Sequence, residues 1–190
     1  ENQTGIEPKP EPEPVPLISQ LGTWHFTCDD DIIYPWNYTS HMIDRIEQYE
    51  GPVILGLHGI TIQQDRNVLR TKRLPRGYYA SRDVLMWSNA LDHDIAVHII
   101  GTGTMVYKPS EIGPLDCLID MPVPNMADVW IGILAQKRKI PVISASRPKS
   151  WLFEIDGTFA DSLYVVLAGE KQREKVVTRE VESCLPWNVH

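Results

Sequence analysis

Long apolar runs are missing from this chain of 190 residues, and so is any excess of positive charge. A bilayer-spanning helix needs about 20 consecutive apolar residues. No stretch comes near that, so no transmembrane segment is expected. Lys and Arg total 18 against 25 Asp and Glu, a formal net charge of −7. That balance argues against nucleic acid as the main partner. Cysteine is scarce: Cys28, Cys117 and Cys184 are odd in number and lack ligand spacing. A disulfide framework is therefore not expected, and a reducing compartment is the simpler reading. The first residues carry no basic-then-apolar leader pattern, so the expectation is a cytoplasmic protein. There is no internal repeat. Asn2-Gln3-Thr4 and Asn37-Tyr38-Thr39 fit the glycosylation sequon, a pattern short enough to arise by chance.

What is present is ordinary for a globular protein: 43% hydrophobic and 23% charged residues, in a length suited to one domain. Residues 1–16 read as a tail, because Pro8, Pro10, Pro12, Pro14 and Pro16 alternate mostly with Glu and Lys and favour extended, solvated chain. Residues 17–190 read as a single α/β domain. Strands are predicted over Thr23–Cys28, Val53–Ile62, Ile95–Ile100, Met105–Tyr107 and Ile140–Ala145, the last opened by Pro141, which suggests an edge or a strand start. A helix is predicted over Trp36–Tyr49 from the spacing of Tyr38, Met42, Ile43, Ile46 and Tyr49. A second runs from an N-cap at Asn125 to Lys137–Lys139, with Met126, Val129, Trp130, Ile133 and Leu134 inward. Val84–Leu91 reads as a short helix or turn. Ser162–Leu167 and Lys175–Val181 read as short outer elements. Strands alternating with helices imply a mixed, mainly parallel sheet flanked by helices.

The most informative stretch is Trp24 to Pro35, where a β-favouring run drives into Asp29, Asp30 and Asp31. Three adjacent carboxylates repel, and at least one pKa should rise unless a cation sits among them. Hard cations such as Mg2+ or Mn2+ prefer such oxygen ligands. The alternative is a solvated Asp-rich turn. His58-Gly59 and Gly101-Thr102-Gly103-Thr104 also fall at predicted strand ends, where ligands gather in α/β sheets. The two glycines of the second group permit close approach of backbone to a ligand, or equally a bulge. Asp128 opens the later helix. Its position is fixed by the apolar face behind it and its charge is favoured by the helix N-terminus, so it is the candidate general base; plain helix electrostatics is the alternative. His98, inside an apolar strand, reads as a satisfied core residue. The basic residues Arg66, Arg70, Lys72, Arg73, Arg76 and Arg82 read either as a loop over an anion site or, slightly favoured, as solvated surface.

FTCDDDIIYPWNY, VILGLHGI, VHIIGTGTMVY and NMADVWIGILAQKRKIPVI with SRPKSWL, in that order and over about Leu21 to Leu152, resemble the second half of a bacterial family-2 glycosyltransferase with the GT-A fold. The resemblance implies an inverting, metal-dependent transfer of a sugar from a nucleotide-diphosphate donor to a saccharide or other hydroxyl acceptor, in polysaccharide or glycoconjugate synthesis. It implies that Asp29 and Asp31 hold Mn2+ or Mg2+ and that Asp29 and Asp30 contact the donor. His58, Gly59, Gly101, Thr102 and Gly103 would line the donor site, with Asp128 as the base. The βαβ segment that opens such proteins has no counterpart in the proline-rich start. The expectation is therefore an N-terminally truncated GT-A-like domain, completed by a homo-oligomer or partner subunit at an exposed sheet edge. Two other readings stand beside it: a non-catalytic binding or assembly module on the same fold, and a metal-dependent phosphoester hydrolase, which would need a second acidic cluster.

Overall fold

The computed structural model describes residues 24–115, 118–119, 121–155 and 170–190. The tail at 1–16, the element expected at Ser162–Leu167 and Cys117 lie outside the described residues. In chain order the elements are β1 (His25–Phe26), β2 (Ile32–Ile33), α1 (Tyr38–Ile46), β3 (Ile54–Gly56), β4 (Gly59–Ile62), α2 (Arg66–Thr71), β5 (Arg82–Leu85), β6 (Ile95–Ala96) and β7 (Ile99–Ile100). A 3-10 turn (Thr102–Thr104) follows, then β8 (Val106–Tyr107), α3 (Pro109–Ile112), α4 (Ala127–Arg138), β9 (Val142–Ser144), β10 (Phe153–Glu154) and α5 (Lys171–Ser183).

The two longest β-favouring runs do not form single strands. Each changes sheet halfway. Val53–Ile62 divides at Leu57-His58, with β3 in a five-stranded sheet ordered β1-β8-β3-β9-β6 and β4 in a three-stranded sheet ordered β5-β4-β7. Ile95–Ile100 divides in the same way: the Val97 amide donates to Val142 O at 2.8 Å, while the next amide, of His98, donates to Ile60 O at 3.0 Å in the other sheet. The crossing is close. A Cβ on Gly56 would lie 2.3 Å from Ile100 Cγ2, and one on Gly59 would lie 3.0 Å from both Val97 Cγ1 and Ser144 Cβ. Alternation of apolar residues carries no information about which neighbour a strand meets, so the switch was not visible in the pattern.

The main sheet is mixed, as expected, but not mainly parallel. Among the described pairings β3 and β9 run parallel, and the rest are antiparallel. β9 lies between β3 and β6 rather than at an edge. Pro141 is tolerated because it precedes the strand, and its carbonyl still accepts from Ile54 N at 2.9 Å. Helices cover both faces. Leu55 and Ile143 pack with Tyr38, Met42 and Ile46 of α1 on one side. Their neighbours Ile54 and Val142 pack with Ile131 and Ala135 of α4 on the other. The period of two along each strand produces exactly this division. A further core joins β4, β7 and α4 to α5.

The helices keep the expected inward faces and shift at their ends. α1 starts at Tyr38, leaving Trp36 97% exposed. α4 buries Val129, Trp130 and Ile133 and also Ile131, Gly132 and Ala135. Its N-cap position is Met126, and Asn125 adopts a left-handed φ of 60° instead of capping. Within the basic segment, α2 forms where a loop was expected, capped by Asp65, whose carboxylate accepts from Val68 N at 2.8 Å. Val84 and Leu85 lie in β5 rather than in a helix or turn, because β4 offers them an antiparallel partner. α5 spans 13 residues and sends Val177 and Val181 into the core beside Leu185 and Trp187. No helix among the described residues is long and apolar enough to cross a membrane.

Candidate functional site

The acidic triplet follows β1, whose end is tied down by the Thr27 amide donating to Met105 O at 3.0 Å. The three aspartates then diverge. Asp29 turns onto the Gly101–Thr104 segment, so closely that a Cβ on Gly103 would sit 2.1 Å from Asp29 Oδ2. Asp30 is exposed. Asp31 is half-buried, and its carbonyl accepts from Ile155 N at 2.8 Å, which aligns the start of β2 with β10. Lost hydration raises the Asp29 carboxyl above the ordinary carboxylate range, and the charges of Asp31 and Asp30 raise it further.

The Gly101–Thr104 segment is a hinge point between the two sheets. Gly101 N donates to His58 O at 2.8 Å. Thr104 Oγ1 accepts from Leu57 N at 3.0 Å and His58 N at 3.2 Å. The His58 ring lies on Gly101, with Cδ2 3.3 Å from where a Cβ would be. These contacts bring Asp29, His58, Gly101 and Gly103 together, as expected from their places in the sequence. Gly59 sits apart from that surface, buried, with Val97 and Ser144 against it. Thr102 is half-buried. His98 is a core residue: it is buried, and Nδ1 accepts from Ile62 N at 2.8 Å.

Burial lowers His58 to about 4, and the Arg82 and Arg147 charges act in the same direction. At neutral pH its imidazole is uncharged. Arg147 is buried and donates to Ser144 Oγ at 2.9 Å, Ala145 O at 2.8 Å and Met86 O at 2.8 Å. Its guanidinium has no carboxylate among these partners, and burial brings it down to about 10.

Asp128, 99 residues from Asp29, occupies the first turn of α4. Burial raises its carboxyl, and Asp29's charge adds to the rise. Amide donation from Val129 and from its own backbone and the charge of Arg82 oppose it. Arg82 therefore acts on both His58 and Asp128. It stacks over two rings, 5.0 Å from Tyr78 and 4.9 Å from Tyr79, and donates to Tyr78 Oη at 3.3 Å. α5 braces this side: Thr178 Oγ1 accepts from Tyr78 N at 2.9 Å, and Glu182 Oε1 accepts from Leu74 N at 2.7 Å. The start of α4 is braced too, with Trp130 Nε1 donating to Val123 O at 3.2 Å and Arg173 donating to Pro124 O at 2.6 Å.

The basic segment thus divides. Arg66, Arg70, Lys72, Arg73 and Arg76 are exposed, as the bland reading expects, whereas Arg82 is half-buried beside Asp128. Tyr34, Tyr78, Tyr79 and Arg147 also belong to the site and were not singled out from the sequence. Arg82 and Arg147 carried a signal, as cations among strand-like residues. The tyrosines carried none, since an apolar ring in a core looks the same.

Among the described residues no group of three or more His, Cys, Asp or Glu side chains is arranged to hold a metal ion. Carboxylates are the donor type that a hard divalent cation takes. Such ions at phosphate sites use one or two carboxylates with the remaining positions filled by phosphate and water, and Asp29 is surrounded by negative charge from Asp30 and Asp31. Asp29 and Asp31 are the residues that would hold it. Compared with known proteins, the chain matches no protein-family model and no curated sequence.

Proposed function

We propose that the protein is a metal-dependent glycosyltransferase, moving a sugar from a nucleotide-diphosphate donor to a hydroxyl acceptor with inversion. The observation that carries this reading is the seating of the Asp29 carboxylate against Gly103, next to the His58 ring packed on Gly101; the charge of Asp29 is also the smallest of the influences on the Asp128 carboxyl. One carboxylate fixed for a cation and a second, separate one that can accept a proton are the two parts that such a transfer requires.

Mn2+ or Mg2+, when bound, would neutralise charge on the departing nucleotide diphosphate. The chain's own residues do the rest. Asp128 takes the proton from the acceptor hydroxyl. Its raised pKa makes it a better base than an ordinary carboxylate, provided the pH is high enough to ionise it. Arg82 keeps that ionised form accessible, since its charge lowers the Asp128 pKa. The neutral His58 imidazole and the Gly101 and Gly103 backbone line the donor side without adding bulk.

Calorimetric titration with UDP in the presence and absence of Mn2+ tests the proposal. Heat that depends on the metal and falls sharply in Asp29→Asn is expected. A folded protein that gives no metal-dependent heat would overturn donor binding and leave the non-catalytic binding module as the reading.

A further inference from the structure

The Asp29 carboxylate is held against Gly103, yet nothing in the acidic triplet itself explains why it should stay there. The explanation lies in the tyrosine five residues on. Tyr34 Oη accepts from Asp29 N at 2.8 Å and donates to Gly103 O at 2.5 Å. A phenol has one proton and can give it to one acceptor at a time. The shorter bond goes to Gly103 O, and the contact to Asp29 O, at 3.4 Å, is the weaker one. One hydroxyl therefore ties the Asp29 backbone to the Gly103 backbone, which lies 69 residues beyond Tyr34 itself.

The phenol is itself held from two directions. Its ring packs 4.8 Å from the Tyr38 ring at the start of α1. Its backbone follows β2, in which Ile33 pairs with Phe153 and Ile32 with Glu154. The seat is matched to its occupant, because any side chain at position 103 would collide with Asp29 Oδ2.

We infer that Tyr34 is a positioning residue that locks Asp29 onto the Gly103 seat, and that it acts through this geometry rather than by touching substrate. In the proposed reaction, on which this further step rests, the consequence is a preformed first ligand for the cation. Asp30, lacking such a tie, contributes little to affinity.

The test uses Tyr34→Phe, which keeps the ring and removes only the hydroxyl. Hydrogen exchange on the metal-free chain should show faster exchange of the Asp29 amide, with the β3 and β9 amides unchanged. Mn2+ affinity measured by titration with UDP should weaken about tenfold, the ordinary worth of one such hydrogen bond. Gly103→Ala, which removes the seat and leaves the hydroxyl, should weaken Mn2+ at least as much as Tyr34→Phe and serves if the phenylalanine variant folds poorly. Unchanged Asp29 exchange in Tyr34→Phe overturns the inference, and so does wild-type Mn2+ affinity in both variants. If wild-type chain binds no Mn2+ but Asp29 exchange rises in Tyr34→Phe, the lock stands and the metal reading fails.

Discussion

Replacing Asp128 by Asn should destroy activity without destroying the fold, and the two effects have separate physical sources. Burial raises the Asp128 carboxyl, so its ionised form is held at a cost to the folded state. The sign follows: for a carboxyl raised on folding, the native chain binds the proton more readily, so stability rises as pH falls through the folded pKa and is lost as pH rises through it. Asn removes the charge and retains an acceptor for the Val129 amide. The neighbouring Arg82 loses one attractive partner but keeps its stacking at 5.0 and 4.9 Å and its bond to Tyr78 Oη. Each kcal/mol of that cost recovered by Asn raises Tm by about 2–4 °C in a chain of this length, so the variant should melt no lower than wild type at pH 7. Removing a general base should lower turnover by about 10²–10⁴-fold. The assay pair is thermal unfolding by circular dichroism at pH 7 and UDP release from UDP-sugars with Mn2+. A Tm more than about 4 °C below wild type would show that the carboxylate is a structural keystone. Wild-type turnover in the variant would remove Asp128 as the base.

Other outcomes follow from the same geometry. Arg82→Met keeps the packing against Tyr78 and Tyr79 but removes the charge that lowers the Asp128 pKa, so the acid limb of the kcat/KM profile should move to higher pH; an unmoved or lowered limb refutes the coupling. His58 and His98 both fall from an ordinary 6.5 to about 4 through burial, so the unfolded chain takes up protons first and urea stability should decline as pH drops from 6.5 toward 4; His98→Gln should flatten part of that decline. Gly132→Ala should destabilise the domain by roughly 1–2 kcal/mol in urea unfolding, because overpacking costs about 1–3 kcal/mol and helix propensity returns at most about 1. The reason is local: the new methyl would start 2.6 Å from Ile99 Cγ1, where α4 lies directly on β7. A neutral or stabilising result would mean that α4 can slide, and Asp128 with it.

The inward faces of α1 and α4, the strand propensity on either side of the glycines and the clustering of carboxylates after β1 follow from local chemistry. Side-chain periodicity and charge repulsion act between residues a few positions apart, and they are legible without a fold. The proximity of Asp29, His58, Gly101 and Gly103 could be read for that reason too, since each lies at or just after the end of an apolar run. The switch of Val53–Ile62 and Ile95–Ile100 between two sheets was not, because an amide donates to whichever carbonyl packing brings near, and Val97 and His98 differ in nothing but that. The same holds for the partners of Asp29 and Asp128. Tyr34 reaches Gly103, and Arg82 reaches Asp128 and His58, only after strands distant in sequence have paired. Residue order by itself determined an α/β domain with an acidic turn. The pairing of distant segments decided that Tyr34 ties the Asp29 backbone to the Gly103 turn, and that Arg82 alone of the six basic residues is half-buried.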